Sequence, residues 1–134
     1  MNDPASLQAL LQPLFPGLLG MELTSTEPDL VRAKLKVRAD LCTVGGVLHG
    51  GAVMAFADTL GAVATIVNLP QGARTTTIES KTNFFAAAAV DTLVTAECTP
   101  FHKGKSTMVW QTQIRNEAGK LCAVVTQTQM VLAA

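Results

Sequence analysis

Tyrosine is absent from this 134-residue chain, and its aromatic rings amount to five phenylalanines and one tryptophan. Proteins that grip single-stranded nucleic acid stack its bases on such rings, so that class is disfavoured. Charge is equally scarce. Asp, Glu, Lys and Arg make up 15% of the residues, against about 25% in ordinary soluble domains. The ten basic residues balance the ten acidic ones, so no net field points at nucleic acid or an anionic membrane, and neither is expected as a partner. The three cysteines, Cys42, Cys98 and Cys122, are odd in number and widely spaced. They offer no disulfide framework or metal motif and fit reduced thiols in the cytoplasm. No basic stretch followed by an apolar run opens the sequence, so no signal peptide is expected. The most apolar run, Ala52 to Val67, is short for a membrane span and carries Asp58 inside it. It reads as a buried helix.

Apolar side chains are what the sequence has in quantity, at 49%. That share excludes a disordered chain and lets residues 1–134 bury a core as one domain without metal or disulfide help. The low charge implies that part of the surface is covered by subunit contacts, so a homo-oligomer is expected.

Periodicity supplies the element order. Ala5 to Leu11 has the pattern of a short amphipathic helix, stopped by Pro13 and Pro16. Val31, Ala33, Leu35 and Val37 alternate with Arg32, Lys34, Lys36 and Arg38, the signature of a half-buried antiparallel strand. Leu19 to Thr26 is its expected hairpin partner, turning at Glu27-Pro28-Asp29. Cys42 to Gly46 reads as a loop. The helix that follows Gly51 ends near Asn68-Leu69-Pro70, and its apolar residues lie on every side, which predicts enclosure by other structure. Thr75 to Phe85, Thr92 to Phe101, Ser106 to Arg115 and Leu121 to Val131 are β-rich, separated by Ala86 to Ala89, His102 to Lys105 and Asn116 to Gly119. A hairpin, one apolar helix and four antiparallel strands point to an α+β class with the sheet curled around the helix.

The segment from Gly46 to Asp58, with His49-Gly50-Gly51 opening the helix and Asp58 nine residues after the His, resembles the signature of hotdog-fold thioesterases of the phenylacetate-pathway (PaaI) and 4-hydroxybenzoyl-CoA type. The run Thr77 to Phe85 is similar to that family's next strand, and the element order agrees over nearly the whole chain. The resemblance implies an acyl-CoA thioester hydrolase that needs no metal or redox cofactor and works as a dimer or dimer of dimers. It implies that Gly50 polarises the thioester carbonyl and that Asp58 is nucleophile or general base. It further implies that Thr77 helps hold the attacking water, while His49 shapes the turn. Two departures stand out. Thr43 occupies the position six before the His where the family usually carries Asn or Gln, and Ala86 to Ala89 replace the usual Pro.

Elementary chemistry supports the same residues. A helix N-terminus offers free N–H groups and positive potential to a developing oxyanion, and Gly50 and Gly51 leave the backbone open to a substrate oxygen. An Asp inside an apolar helix is costly unless paired or used. Eight residues on one helix separate Gly50 from Asp58 by ~12 Å, too far for both to touch one thioester carbon. If both act, the site is shared between subunits related by a two-fold axis. Substrate phosphates need cations, for which Lys103, Gly104 and Lys105 in the His102 to Lys105 turn are the first candidates and Arg74 a second. Small residues at Ala55, Ala62 and Ala64 would leave room for an acyl chain.

Plainer readings stand beside these. Asp58 can be a buried carboxylate satisfied by neighbouring hydroxyls such as that of Thr59, Thr77 an ordinary strand former, and Lys103 and Lys105 a solvated turn. Cys42 has no accompanying base, and His49, Asp58 and His102 lack any metal-ligand spacing. A non-catalytic acyl-CoA-binding module is the competing function, kept open by Thr43. A hydratase is disfavoured because the His expected five residues after the Asp is Val63.

Overall fold

The computed structural model describes residues 1–134. In chain order the elements are α1 (Pro4–Leu11), α2 (Phe15–Leu19), β1 (Glu22–Glu27), β2 (Leu30–Lys36), a 3-10 turn (Ala39–Leu41), β3 (Cys42–Thr43), β4 (Val47–Leu48), α3 (Gly50–Asn68), β5 (Arg74–Phe84), β6 (Leu93–Lys103), β7 (Thr107–Arg115) and β8 (Leu121–Leu132). The main sheet is antiparallel in the order β1-β2-β6-β7-β8-β5, and β3 and β4 pair as a separate short hairpin. The curled sheet around one helix expected from the periodicity is the architecture observed.

α1 begins where Asp3 accepts from the Ser6 N–H at 2.7 Å with Pro4 in the first turn, an N-cap that satisfies one free donor. Pro16 does not stop a helix, as the sequence suggested. It sits in the first turn of α2, where a proline loses no hydrogen bond. Leu19 consequently ends α2 rather than opening β1, and Arg38 donates to the Leu18 and Leu19 carbonyls at 3.0 and 2.9 Å. The alternation in β2 holds: Val31, Ala33 and Leu35 are buried. Cys42 to Gly46, read as loop, forms the first arm and turn of the β3–β4 hairpin. His102 and Lys103 belong to β6 rather than to a separating turn.

α3 lies across the concave face of the sheet. Val53, Phe56, Ala57, Leu60, Gly61, Val63, Ala64 and Thr65 are buried there, and the Trp110 indole donates to the Thr65 hydroxyl at 2.9 Å in a fully enclosed setting. Enclosure is one-sided, which corrects the expectation of a helix wrapped all round. Met54 and Ile66 remain 40% and 39% exposed, on a stripe that also carries the half-buried Ala55, Asp58 and Ala62. Beside this stripe runs β5, an eleven-residue strand at the end of the sheet whose outer edge is unpaired. Ile78, Phe84 and Phe85 are more than half exposed along it. α3 is long and apolar enough to cross a membrane, but eight of its nineteen residues are buried in this core.

Candidate active site

The loop into α3 is built around His49. Its backbone (φ −63°, ψ 137°) is extended, and its Nδ1 accepts from the Gly51 N–H at 2.7 Å. The neutral ring therefore carries its proton on Nε2. Ala52 and Val53 donate to the His49 carbonyl at 2.9 and 3.1 Å, and the His49 N–H donates to Leu41. Every N–H of the first turn thus has a protein acceptor except that of Gly50. That single free donor, at the positive end of a nineteen-residue helix, suits an anionic or carbonyl oxygen. The Phe84 ring lies against the same residue: a Cβ added at Gly50 would stand 3.2 Å from Phe84 Cζ. Gly51, expected to leave the backbone open to a substrate oxygen, gives its own N–H to His49 Nδ1.

Asp58 lies two turns along. Its Oδ1 accepts from the Thr77 hydroxyl at 2.7 Å and from Gln127 Nε2 at 3.2 Å, and Gln127 also reaches the Asp58 carbonyl at 3.3 Å. Behind Thr77, Gln129 Nε2 donates to the Thr77 oxygen at 2.6 Å, and Thr75 donates to Gln129 Oε1 at 2.9 Å. The resemblance gave Thr77 to the attacking water. Its one proton goes to the Asp58 carboxylate. A β-bulge between Thr77 and Glu79 turns Ile78 outward, so the register pairs Thr77 with Gln129 and Ser80 with Gln127. Bulges recur beside functional side chains because they re-aim them.

Gln127 and Gln129, 1% and 0% exposed, escaped the reading of the sequence. The available signal was that they continue, at period two, the inward face set by Ala123 and Val125. Glutamines there must be satisfied by something across the core. Thr59, offered as a partner for Asp58, donates instead to the Ala55 carbonyl at 2.8 Å.

The other expected residues fall in three places. Thr43 is exposed on the β3–β4 hairpin, opposite Val47, and accepts from Gly46 through its carbonyl. Lys103, Gly104 and Lys105 lie at the far end of α3, where Lys103 pairs with Asp29 and donates to Asn68 Oδ1. That leaves Lys105 as the uncommitted cation of the turn. Arg74 lines a recess of about 560 Å³ near the same helix end, with Ile66, Leu69 and Pro70. Ala64 is fully buried and lines nothing, while Ala55 and Ala62 border the open stripe. A smaller recess, about 260 Å³, adjoins the helix N-terminus between Phe15, Leu19, Leu41, Cys42, His49 and Ala52. A cavity of about 440 Å³ beside Ala87 and Asn116 touches none of these groups. Burial pushes the Cys98 thiol up to about 12 and raises that of Cys122, so neither is a ready nucleophile.

Gly50 and Asp58 stand at the first and ninth positions of one helix, ~12 Å apart along its axis. The chain brings Asp58, Thr77, Gln127 and Gln129 together and keeps the Gly50 donor apart from them.

Known proteins are similar to this chain in sequence and fold. Residues 45–123 match the family model described as the Thioesterase superfamily. A thioesterase of Haemophilus influenzae superposes with a TM-score of 0.91 at 31% identity, covering 96% of this chain and 90% of its own. A proofreading thioesterase, EntH, of Cronobacter turicensis is 32% identical over 104 residues, which are 78% of this chain and 75% of the relative. The 1,4-dihydroxy-2-naphthoyl-CoA hydrolase of Escherichia coli K12 is 28% identical over 116 residues, 87% and 85% of the two chains.

Proposed function

The chain belongs to the thioesterase superfamily, and we propose that it hydrolyses acyl-CoA thioesters in a site shared by two subunits, with Asp58 of one facing Gly50 of the other. Its antiparallel sheet around one long helix is the hotdog fold, and thioester hydrolysis is the activity of its relatives. The observation that carries the finer reading is the pairing of two unfinished halves. Asp58 has both its donors on Oδ1, and Gly50 alone in its turn has a free N–H. A thioester needs one of each. The thioester carbonyl oxygen accepts from the Gly50 N–H, and His49 Nε2–H lies in the same turn. Asp58 delivers the nucleophile to the carbonyl carbon, either its own carboxylate oxygen or a water whose proton it takes. The tetrahedral species then collapses by expelling the CoA thiolate, leaving the free acid where water attacked, or an acyl–Asp58 anhydride that a water molecule then hydrolyses to free acid and Asp58 carboxylate. Acyl-CoA as the substrate class is supported by the E. coli relative, named a hydrolase of an aryl-CoA.

Sharing is supported by what one chain leaves open. The stripe through Met54, Asp58 and Ile66 adjoins the unpaired β5 edge, on which Ile78 and Phe84 stand exposed among polar residues. A long uncovered edge strand invites pairing with another chain. Two antiparallel α3 helices across a two-fold axis would set Gly50 of each opposite Asp58 of the other. Lys105, near the C-terminal end of α3, would then lie along the route of the CoA phosphates, with Thr43 on the hairpin at the mouth of the site.

The test is free-thiol release from a panel of short, medium, long and aromatic acyl-CoAs, run beside Asp58→Asn. We expect turnover of at least one class and a loss on the order of a hundredfold or more in the variant. An Asp58→Asn protein as active as the parent refutes the assignment. A folded parent that binds acyl-CoA without releasing thiol marks a binding module.

A further inference from the structure

We propose that Gln127, seated on Gly61, and Gln129 are positioning residues that hold the Asp58 carboxylate aimed, with Oδ2 as the reacting oxygen. The proposal rests on the reading of Asp58 given above. It starts from two features that work against stability and meet at one side chain.

Gly61 lies in the interior of α3, fully enclosed, where glycine destabilises a helix relative to alanine. Its lack of a side chain has a local reason. A Cβ at this position would stand 2.2 to 2.4 Å from the Gln127 amide atoms, so the glutamine head lies directly on the helix backbone. The second feature is Gln127 itself. It is 1% exposed, and its Oε1 has no hydrogen-bond partner. A buried, unsatisfied amide oxygen is a standing cost that methionine of similar length would remove. Helix and strand both give up stability to keep an amide here. What the amide does is donate, to Asp58 Oδ1 at 3.2 Å and to the Asp58 carbonyl at 3.3 Å.

Gln129 acts one step further back. Thr77 and Asp58 Oδ1 are 2.7 Å apart, so against an ionised carboxylate the Thr77 hydroxyl must be the donor. Its oxygen is then free to accept, and the Gln129 NH2 fills that role at 2.6 Å. The carbonyl end of Gln129 faces the Thr75 hydroxyl at 2.9 Å, a hydroxyl equally close to the Met130 carbonyl. Reversing the Gln129 amide would point its oxygen at Thr77 and pull the hydroxyl proton away from the carboxylate. The orientation of one buried amide therefore sets the polarity of the row from Gln129 through Thr77 to Asp58. Two donors on Oδ1 pin the carboxylate plane, leaving Oδ2 for chemistry.

The experiment compares Gln127→Met and Gln129→Met with the parent, and each again in the Asp58→Asn background, by steady-state kinetics on the best acyl-CoA and by thermal melts. We expect kcat to fall about ten- to a hundredfold, as for a carboxylate displaced from its working geometry, with KM little changed. We expect Gln127→Met to melt no lower than the parent, because it removes the orphan oxygen. In the Asp58→Asn background neither substitution should cost further activity. Gly61→Ala, which evicts the Gln127 amide while favouring the helix, should reproduce the kcat loss of Gln127→Met. Parental kcat in Gln127→Met and Gln129→Met, with Asp58→Asn inactive, overturns this proposal and spares the assignment of Asp58. A fall in kcat that tracks only a lowered melting temperature overturns it as well. An active Asp58→Asn overturns both.

Discussion

Gly50→Pro should abolish turnover without unfolding the protein, and the reason can be worked through atom by atom. Proline at the first position of a helix is well tolerated, because the N–H it lacks has no helical acceptor. Here that N–H donates to no protein group. Proline also constrains the residue before it to extended backbone, and His49 is already there at φ −63°, ψ 137°. The added Cβ would meet Phe84 Cζ at 3.2 Å, the tip of a ring that is 53% exposed and can give way. Little in the fold therefore opposes the change. What disappears is the donor proposed to hold the developing oxyanion, and loss of one such donor costs about 10²- to 10³-fold in kcat, or ~2.7–4 kcal/mol. Gly50→Ala is the matched control: it brings the same Cβ to Phe84 and keeps the N–H, so its loss should be roughly tenfold or less. The assay is thiol release at saturating acyl-CoA, with circular dichroism and light scattering to verify fold and assembly. A folded Gly50→Pro protein with parental kcat, or equal losses in the two variants, would refute the oxyanion role and move the search to His49 Nε2–H.

Three further outcomes follow from the same geometry. His49→Ala removes the N-cap acceptor at 2.7 Å from the Gly51 N–H. It should cost ~1 kcal/mol and lower the melting temperature by about 3–4 °C for a chain of this size; His49→Asn, a good cap, should recover most of that loss, and equal melting points for the two variants would contradict the capping role. Mixing inactive Asp58→Asn and Gly50→Pro subunits by co-refolding should restore about a quarter of parental activity, since half the dimers are mixed and each has one intact site; no recovery in verified mixed dimers would exclude a shared site. The buried Cys98 thiol, raised to about 12 from 9.0, keeps its proton in the folded state over a range where the unfolded chain loses it. Stability should therefore fall by up to ~1.4 kcal/mol per pH unit between about pH 9 and 12, and Cys98→Ala should flatten that part of a urea-denaturation series against pH.

The elements were legible because their signals are local. Charged and apolar residues alternate through β2, a long apolar run bounded by His49-Gly50 and Pro70 marks α3, and Asn116 to Gly119 has the composition of the turn it forms. Where the reading went astray, position within an element decided the matter. Pro16 opens α2 because a proline is harmless in a first turn, and His102-Lys103 extends β6 because two polar residues can sit at the exposed end of a strand. The His49-Gly50-Gly51 spacing to Asp58 also belongs to one helix and can be counted along the chain.

By itself, then, the sequence determined the order of strands and helix, the family signature, and the ~12 Å that keeps Gly50 from its own Asp58. Tertiary structure alone decided which groups the carboxylate meets. Gln127 and Gln129 lie 69 and 71 positions after Asp58 in the chain, and only the β5–β8 register, with its bulge at Ile78, brings Thr77 and Gln127 to one carboxylate oxygen and Gln129 to Thr77. Tertiary structure also spent the Lys103 charge on Asp29. The physical reason is common to all of these. Periodicity specifies which face a side chain occupies, whereas a hydrogen bond is settled by the last few tenths of an ångström between elements distant in sequence.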